Sequence, residues 1–151
     1  MDIAVKPQGC TNIKLRQLTR QVARYYEAEV GKTGLKNTQY SLLSYVCKLG
    51  PLRPGVLALA MKIEPSTLTR NLKPLIDAGW LSLDAGTDGR SRIVSITPAG
   101  REKRQEAQRR WRVAQESVNQ ALGLERVIEL HALLDDCMAR LAPLNNGETD
   151  A

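Results

Sequence analysis

The sequence contains very little histidine, cysteine and phenylalanine, and each shortage excludes a class of protein. His131 is the only histidine, so zinc sites that need two histidines from one chain are excluded, and histidine-based acid–base catalysis has a single candidate. The three cysteines in 151 residues are too few and too scattered for a disulfide scaffold, which favours a reducing cytoplasm. Because phenylalanine is absent, the core must consist of leucine, valine, isoleucine and alanine.

Long apolar segments and enzyme motifs are missing as well. The longest apolar run, Val56 to Met61, is far shorter than a membrane span, and the N-terminus lacks the apolar block of a signal peptide. No Gly-x-Ser-x-Gly motif, phosphate-binding loop or dinucleotide fingerprint is present. The sequence therefore predicts neither a membrane partner nor an enzyme, and no metal or cofactor.

Basic residues are abundant and unevenly distributed. The chain has 22 lysines and arginines against 16 aspartates and glutamates, a net charge of +6. Residues 1–112 hold 20 basic and 9 acidic groups, hence +11, whereas residues 113–151 hold 2 basic and 7 acidic groups, hence −5. This asymmetry favours one surface that faces a polyanion, although mixed solvated helix faces are the alternative.

Hydrophobic periodicity predicts a mainly helical chain with one β-hairpin. Apolar residues spaced three and four apart, together with proline and glycine boundaries, define the helices, and two alternating segments flank a turn-rich loop at 86–91. The predicted helices are 12–30, a second one capped by Thr38 and stopped by Gly50-Pro51, then 54–61, 65–78, 98–122 and 124–141, and the predicted strands are 80–84 and 92–96.

Two short helices joined by a tight turn and followed by a hairpin are typical of a winged helix-turn-helix. We therefore predict a fold that is mainly α with a small β-hairpin wing. Leu57, Leu59 and Ile63 are expected to hold the first helix against the second. The second helix would turn Leu68, Leu72, Leu75 and Ile76 inward, and its outward face would carry Ser66, Thr67, Thr69, Arg70 and Lys73.

That outward face is typical of nucleic-acid binding, because arginine can donate two hydrogen bonds to guanine and lysine can pair with phosphate. An ordinary amphipathic helix with a solvated face is the alternative. Pro74 is expected to kink the helix, which puts the direction of Lys73 in more doubt than that of Arg70.

The hairpin loop adds basic residues to the same surface. Arg90 and Arg92 follow the Asp88-Gly89 turn, so a guanidinium can enter a narrow minor groove while Asp88 braces it. The alternative is a surface hairpin with a weak ion pair.

Three stretches between Leu57 and Gly100 form a recognisable pattern: 65–72 (PSTLTRNL), Leu75-x-x-Ala78-Gly79-Trp80-Leu81, and Asp88-x-Arg90 followed by Ile96-Thr97-Pro98-x-Gly100. With them the sequence resembles the MarR family of bacterial transcriptional regulators, and the flanking helices extend the resemblance to about residues 10–142. The Asp-x-Arg wing that leads into Thr-x-x-Gly is the most specific of the three.

The resemblance implies a homodimer that reads a pseudo-palindromic operator in double-stranded DNA, as a repressor released by a small molecule. It places DNA contacts at Ser66, Thr67, Thr69, Arg70, Lys73 and Arg90, with Asp88 as the bracing acid. It also divides the chain into a flexible arm at 1–9, dimerisation helices at 10–34 and 98–142, the winged helix-turn-helix at 35–97, and a flexible tail at 143–151.

The resemblance also implies an effector pocket between the dimer helices and the DNA-binding lobe. Its candidate lining residues would suit an aromatic or carboxylate ligand, although the tyrosines can equally be core and the arginines solvated. The candidates are Arg16, Arg20, Tyr25, Tyr26 and Tyr40.

Two other functions are left open. One branch of the resembled family senses hydroperoxides through a cysteine near the start of the first helix, and Cys10 lies two residues from the corresponding position, Asn12. Lys14 and Arg16 offer its thiol only a loose basic setting. A non-specific architectural DNA-binding protein is the other alternative. Cys47, Cys137 and His131 lie on apolar helix faces, where packed positions are expected.

Overall fold

The structure, a computed structural model, describes residues 6–146, and its elements follow the predicted order. A single turn of 3-10 helix at Gly31–Thr33 follows the first helix. The elements are α1 (Thr11–Val30), α2 (Asn37–Leu49), α3 (Pro54–Met61), α4 (Pro65–Asp77), β1 (Leu81–Ala85), β2 (Arg92–Ile96), α5 (Pro98–Leu122) and α6 (Leu124–Asn146). The prediction of a mainly helical fold with one hairpin is confirmed.

Three helices begin at a proline, as predicted. Pro54, Pro65 and Pro98 are the first residues of α3, α4 and α5. A proline at this position sacrifices no hydrogen bond, because the N–H groups of the first turn have no acceptor within the helix.

Several element boundaries differ from the prediction, and hydrogen bonds account for two of these differences. Thr38 does not cap α2, which begins one residue earlier, and the Gln39 side chain instead accepts a hydrogen bond from the Lys36 N–H at 2.9 Å. Strand β1 begins at Leu81, since Trp80 still belongs to the turn after α4 and donates its N–H to the Leu75 carbonyl at 3.0 Å.

The chain divides after Ala114, inside α5, into two compact units. This break lies within the segment 98–142 that was predicted as dimerisation helices. The first unit holds a core drawn from α2, α3, α4 and the hairpin, whose fully buried leucines are Leu35, Leu42, Leu43, Leu57, Leu68, Leu75 and Leu81. In the second unit, Val118 and Val127 are buried.

The hairpin is joined to the segment before α3 by backbone hydrogen bonds. Strands β1 and β2 pair antiparallel, from Leu81 opposite Ile96 to Ala85 opposite Arg92. Leu52 exchanges two further backbone hydrogen bonds with Val94, at 3.1 and 2.8 Å. Both side chains are buried, so the wing is anchored to the start of the helix-turn-helix.

Leu59 does not pack against α4 as predicted, because it is 82% exposed. Its neighbours Leu57 and Ala58 form the buried face of α3. Since each residue of an α-helix turns by about 100°, Leu59 lies about 200° from Leu57 and points away from the core. Ile63 is partly buried, in agreement with the prediction.

The end of the chain also differs from the prediction. Helix α6 continues through Pro143 to Asn146, so the first part of the predicted tail at 143–151 is helical; Pro143 removes one N–H donor without ending the helix. Residues 147–151, and residues 1–5 of the predicted arm, lie outside the described residues. Between residues 6 and 146, none of the helices combines the length and hydrophobicity that crossing a membrane requires.

Candidate nucleic-acid interface

Helix α4 has one buried face and one exposed polar face, as the sequence predicts. Leu68, Leu72 and Leu75 are at most 4% exposed and belong to the core. The opposite face carries four exposed polar or basic side chains and the partly buried Thr67. The four exposed residues are Ser66, Thr69, Arg70 and Lys73.

Short-range hydrogen bonds orient these side chains. The Thr69 hydroxyl donates to the Pro65 carbonyl at 3.0 Å, and Arg70 Nη2 donates to Thr67 Oγ1 at 3.4 Å. The hydroxyl oxygen of Thr69 therefore remains available as an acceptor. The Arg70 guanidinium is directed along the helix surface.

Lys73 lies next to the proline that was expected to distort α4. The helix continues through Pro74 to Asp77, and Lys73 Nζ lies 3.1 Å from Asp77 Oδ2. The two side chains are 77% and 63% exposed, so this pair is weak. Lys73 is therefore an exposed cation whose pair with Asp77 can be exchanged for another anion.

The wing loop is organised around Asp88. Oδ1 of this carboxylate accepts hydrogen bonds from the Arg90 N–H (3.0 Å), the Ser91 N–H (2.9 Å) and the Ser91 hydroxyl (2.8 Å). Gly89 has φ of +73°, a left-handed conformation that glycine adopts without strain. The loop thus presents Arg90 and Arg92 to solvent.

Asp88 does not brace the Arg90 guanidinium, contrary to the prediction. Its carboxylate holds the Arg90 backbone, and the guanidinium that it faces belongs to Arg53, whose Nη2 lies 3.7 Å from Oδ2. Residues 53 and 88 are too far apart in sequence for periodicity to pair them. One local signal did exist, because Arg53 occupies the N-cap of α3, where serine, threonine or aspartate is usual.

The hydrogen bonds to Asp88 stabilise its charged form. The backbone and hydroxyl donors of Ser91, then the Arg90 N–H and the Arg53 charge, lower the pKa of Asp88 to about 2. A group whose pKa is depressed in the folded state contributes stability above its unfolded pKa and loses that contribution as the pH falls through the folded pKa. The hydrogen bonds that order the wing loop are therefore expected to be lost as the pH falls from the ordinary aspartate value of 3.8 through about 2.

We predict that Asp88 titrates well below the ordinary aspartate pKa of 3.8. The carboxyl ¹³C signal of Asp88, followed by NMR, should give a midpoint near 2. Ser91→Ala removes the hydroxyl donor and should raise this midpoint, while Ser82→Ala, in β1 outside the loop, should leave it unchanged. A wild-type midpoint at the ordinary aspartate value near 3.8 would contradict this organisation of the loop.

Thr97 connects the end of α4 to the start of α5. Its hydroxyl donates to the Gly79 carbonyl at 2.6 Å, and the same oxygen accepts the Gly100 N–H at 3.0 Å. The Thr97 N–H donates to the Trp80 carbonyl at 3.1 Å. The Thr-x-x-Gly stretch thus connects the end of α4 to the start of α5 by hydrogen bonds.

A cleft of about 250 Å³ lies between the start of α3, the outward face of α4 and strand β1. Its walls are mostly apolar, with Lys73 and Asp77 among its lining residues. The others are Pro54, Thr69, Leu72, Ile76 and Leu83. The first turn of α3 and the polar face of α4 therefore meet along one surface.

The candidate effector residues are only partly brought together. Tyr26 and Tyr40 pack on Trp111, with ring centroids 6.5 and 6.2 Å away, and burial raises the pKa of Tyr26. Tyr40 is buried, while Tyr25 is 43% exposed. The sequence did not indicate Trp111 as a member of this cluster, because its neighbours in sequence are arginines.

The two candidate arginines of α1 lie on exposed positions. Arg16 Nε donates to the Asn12 side chain of the same helix at 3.2 Å. Cys10 is exposed and immediately precedes α1, and its side chain does not cap the helix.

The other cysteines and the histidine only partly occupy the packed positions expected. Cys47 is partly buried and accepts a hydrogen bond from Arg101 Nη1 at 3.5 Å. Cys137 and His131 are exposed on α6, because that face is not covered within one chain. Within the described part of the chain, no three histidine, cysteine or acidic residues are grouped as a metal site would require.

Comparison with known proteins points to one family. A model of the MarR family matches residues 33–91, which contain α2, α3, α4 and the wing loop. The helix-turn-helix-type transcriptional regulator YwoH of Bacillus subtilis is 27% identical over 93 residues, which are 62% of this chain and 68% of that protein.

Solved structures share the fold over most of the chain. A probable transcriptional regulator from Pseudomonas aeruginosa superimposes with a TM-score of 0.78 at 25% identity, covering 84% of this chain and 96% of that one. The Mycobacterium tuberculosis regulator MosR, solved in complex with DNA, gives a TM-score of 0.70 at 28% identity, covering 85% and 98%. The proteins it matches are transcriptional regulators, and this chain is similar to the MarR family over the residues that form its helix-turn-helix and most of its wing.

Proposed function

We propose that this protein is a cytoplasmic homodimer that represses transcription by binding a pseudo-palindromic operator, and that a small aromatic or carboxylate ligand releases it. The observation that carries the DNA-binding part is the exposed polar face of α4 beside the two exposed wing arginines. The related regulator MosR was solved in complex with DNA, which supports the same activity here.

In this proposal α4 enters the major groove and the wing follows the adjacent minor groove. Ser66 and Thr67 lie in the first turn of α4, where small hydroxyls approach phosphates and base edges closely. Arg70 has the planar pair of donors that recognises guanine, and Lys73 supplies an exposed positive charge for phosphate. Arg90 and Arg92 follow the Asp88 turn, where a narrow minor groove attracts guanidinium groups.

The solvent-exposed, charged surface of α4 is also compatible with a DNA-binding protein that has no sequence preference. Selection of duplexes from a random pool separates the two functions. A regulator should enrich a two-fold symmetric sequence and bind it with nanomolar affinity and a steep salt dependence. If the selected pool stays random, the operator-reading function is wrong and the architectural one is correct.

The dimer is supported by a series of apolar side chains on α6 that are exposed to solvent in a single chain. More apolar surface is exposed along this one helix than a monomer usually shows to water. Those that are more than half exposed are Leu124, Ile128, Leu133, Leu141 and Leu144.

We predict that the protein sediments as a stable dimer of about twice its mass of 16.7 kDa at micromolar concentration. Replacing Ile128 and Leu133 by aspartate should shift the equilibrium to monomer, because a charge buried in an apolar interface without a partner is strongly unfavourable. The same pair changed to methionine should leave the dimer intact. A wild-type monomer would disprove the dimer.

Effector release is proposed around the aromatic cluster of Tyr26, Tyr40 and Trp111. Three aromatic rings from α1, α2 and α5 meet there, and a flat aromatic acid would stack on such a surface. Repeating the duplex selection with a panel of aromatic acids tests this part, because a ligand of the proposed class should lower operator affinity. If Tyr26→Leu abolishes the response to an active acid while operator affinity stays the same, the cluster is the effector site.

A further inference from the structure

Arg53 lies between the two elements that the proposed function assigns to DNA. Its neighbour Pro54 lines the same cleft as Thr69 and Lys73 of the α4 outward face. Its other neighbour, Leu52, exchanges two backbone hydrogen bonds with Val94 of the wing. The backbone before Arg53 is therefore attached to the hairpin, and the residue after it lies beside the outward face of α4.

The side chain of Arg53 is directed to the wing loop and remains accessible. It is 63% exposed, and its Nη2 lies 3.7 Å from Asp88 Oδ2. It does not cap α3. Among the described residues, Nε and Nη1 of Arg53 make no hydrogen bond. This exposed ion pair is weak, so the N–H donors of the guanidinium are available to another anion.

The charge of Asp88 makes such a cation necessary in a DNA interface. Asp88 uses Oδ1 for three hydrogen bonds that shape the wing loop, one of them from the Arg90 N–H, so its negative charge lies in the loop. A carboxylate at that place repels the phosphates that the wing has to approach. The Arg53 guanidinium neutralises this charge and still has free donors.

We propose that Arg53 is a further DNA-binding residue, which lies beside Asp88 of the wing loop and donates to a backbone phosphodiester. This assignment rests on the proposed function and adds to it a contact from the first helix of the helix-turn-helix. In known helix-turn-helix complexes the first helix crosses the DNA backbone, which agrees with a phosphate contact that carries no sequence preference.

The test is a salt titration of affinity on the duplex that the wild-type protein selects. A dimer contains two copies of Arg53, and each phosphate contact contributes about 0.9 to the slope of log affinity against log salt. Arg53→Ala should therefore reduce the slope by about 2, so that its affinity deficit shrinks about tenfold between 50 and 200 mM salt. Arg53→Lys keeps the charge and should restore most of the slope.

Lys32 provides the matched control, because it is also an exposed cation paired with a carboxylate, Glu29 at 3.1 Å, but lies outside α3, α4 and the wing. Lys32→Ala should leave the slope unchanged. Circular dichroism melting of each variant establishes that it is folded, which the exposure of both side chains makes the expected result.

Repeating the titration in the Asp88→Asn variant distinguishes a phosphate contact by Arg53 from an effect of Arg53 on the position of the wing loop. If Arg53 binds phosphate, Arg53→Ala should still reduce the slope when Asp88 is replaced by asparagine. Weaker binding at an unchanged slope, with no additional effect in the Asp88→Asn background, would mean that Arg53 acts only through the loop, and the assignment would be wrong. A wild-type protein that selects no duplex overturns the proposed function itself, whereas normal selection with a wild-type slope for Arg53→Ala overturns only this contact.

Discussion

Replacing Gly100 with alanine is expected to destabilise the winged helix-turn-helix unit by about 3 kcal/mol. A Cβ at this position would overlap the Trp80 carbonyl oxygen and would come within 2.9 Å of Ile96 Cγ1. Neither group can move freely, because the Trp80 carbonyl accepts the Thr97 N–H and Ile96 is paired with Leu81 in the hairpin. A cost of this size should lower the melting temperature by about 6–12 °C.

Gly55→Ala is the matched control for Gly100→Ala, since both glycines lie in the first turn of a helix and neither has a positive φ. A Cβ on Gly55 meets nothing within 4 Å. Because alanine is the better helix former, this variant should melt at or slightly above the wild-type temperature. If Gly100→Ala melted within 2 °C of wild type, the close approach of α5 to the Trp80 backbone would be wrong.

Replacing Arg70 with alanine is expected to give the largest loss of sequence-specific binding. Arg70 is exposed in the second turn of α4, and its guanidinium is directed by Thr67 Oγ1 at 3.4 Å. A guanidinium that forks onto a base contributes about 1–3 kcal/mol of discrimination, so each half-site should lose about 10- to 100-fold in affinity for the selected duplex. Affinity for a scrambled duplex should change much less.

Arg70→Lys shows whether sequence-specific binding depends on the planar pair of guanidinium donors or only on the positive charge. Lysine keeps the positive charge but lacks the planar pair of donors, so it should restore non-specific binding without restoring preference for the selected duplex. Lys73→Ala, on the next turn of the same face, should lower the affinity for the selected and the scrambled duplex about equally, because a phosphate contact does not depend on sequence. Equal losses on both duplexes for Arg70→Ala would make Arg70 a phosphate contact instead of a base-reading residue.

Local chemistry explains why most of the fold is predictable from the sequence. Proline at a first helical position and threonine in front of it act within one turn of backbone, so the starts of α3, α4 and α5 follow from neighbouring residues alone. The spacing of the α4 leucines likewise determines which face turns inward, and hence that Ser66, Thr69 and Arg70 face outward. Similarly, an Asp-Gly dipeptide between two alternating segments indicates the wing loop.

The sequence by itself thus determined the order of elements, the helix-turn-helix, the wing and the outward side chains of α4. Only the tertiary structure decided which distant groups meet: Asp88 faces Arg53 instead of the Arg90 guanidinium, and Trp111 joins Tyr26 and Tyr40. It also decided that Leu59 and Cys137 are exposed. The physical reason is that helix and turn signals act over a few residues, whereas burial and ion pairing depend on how separate elements approach one another in space.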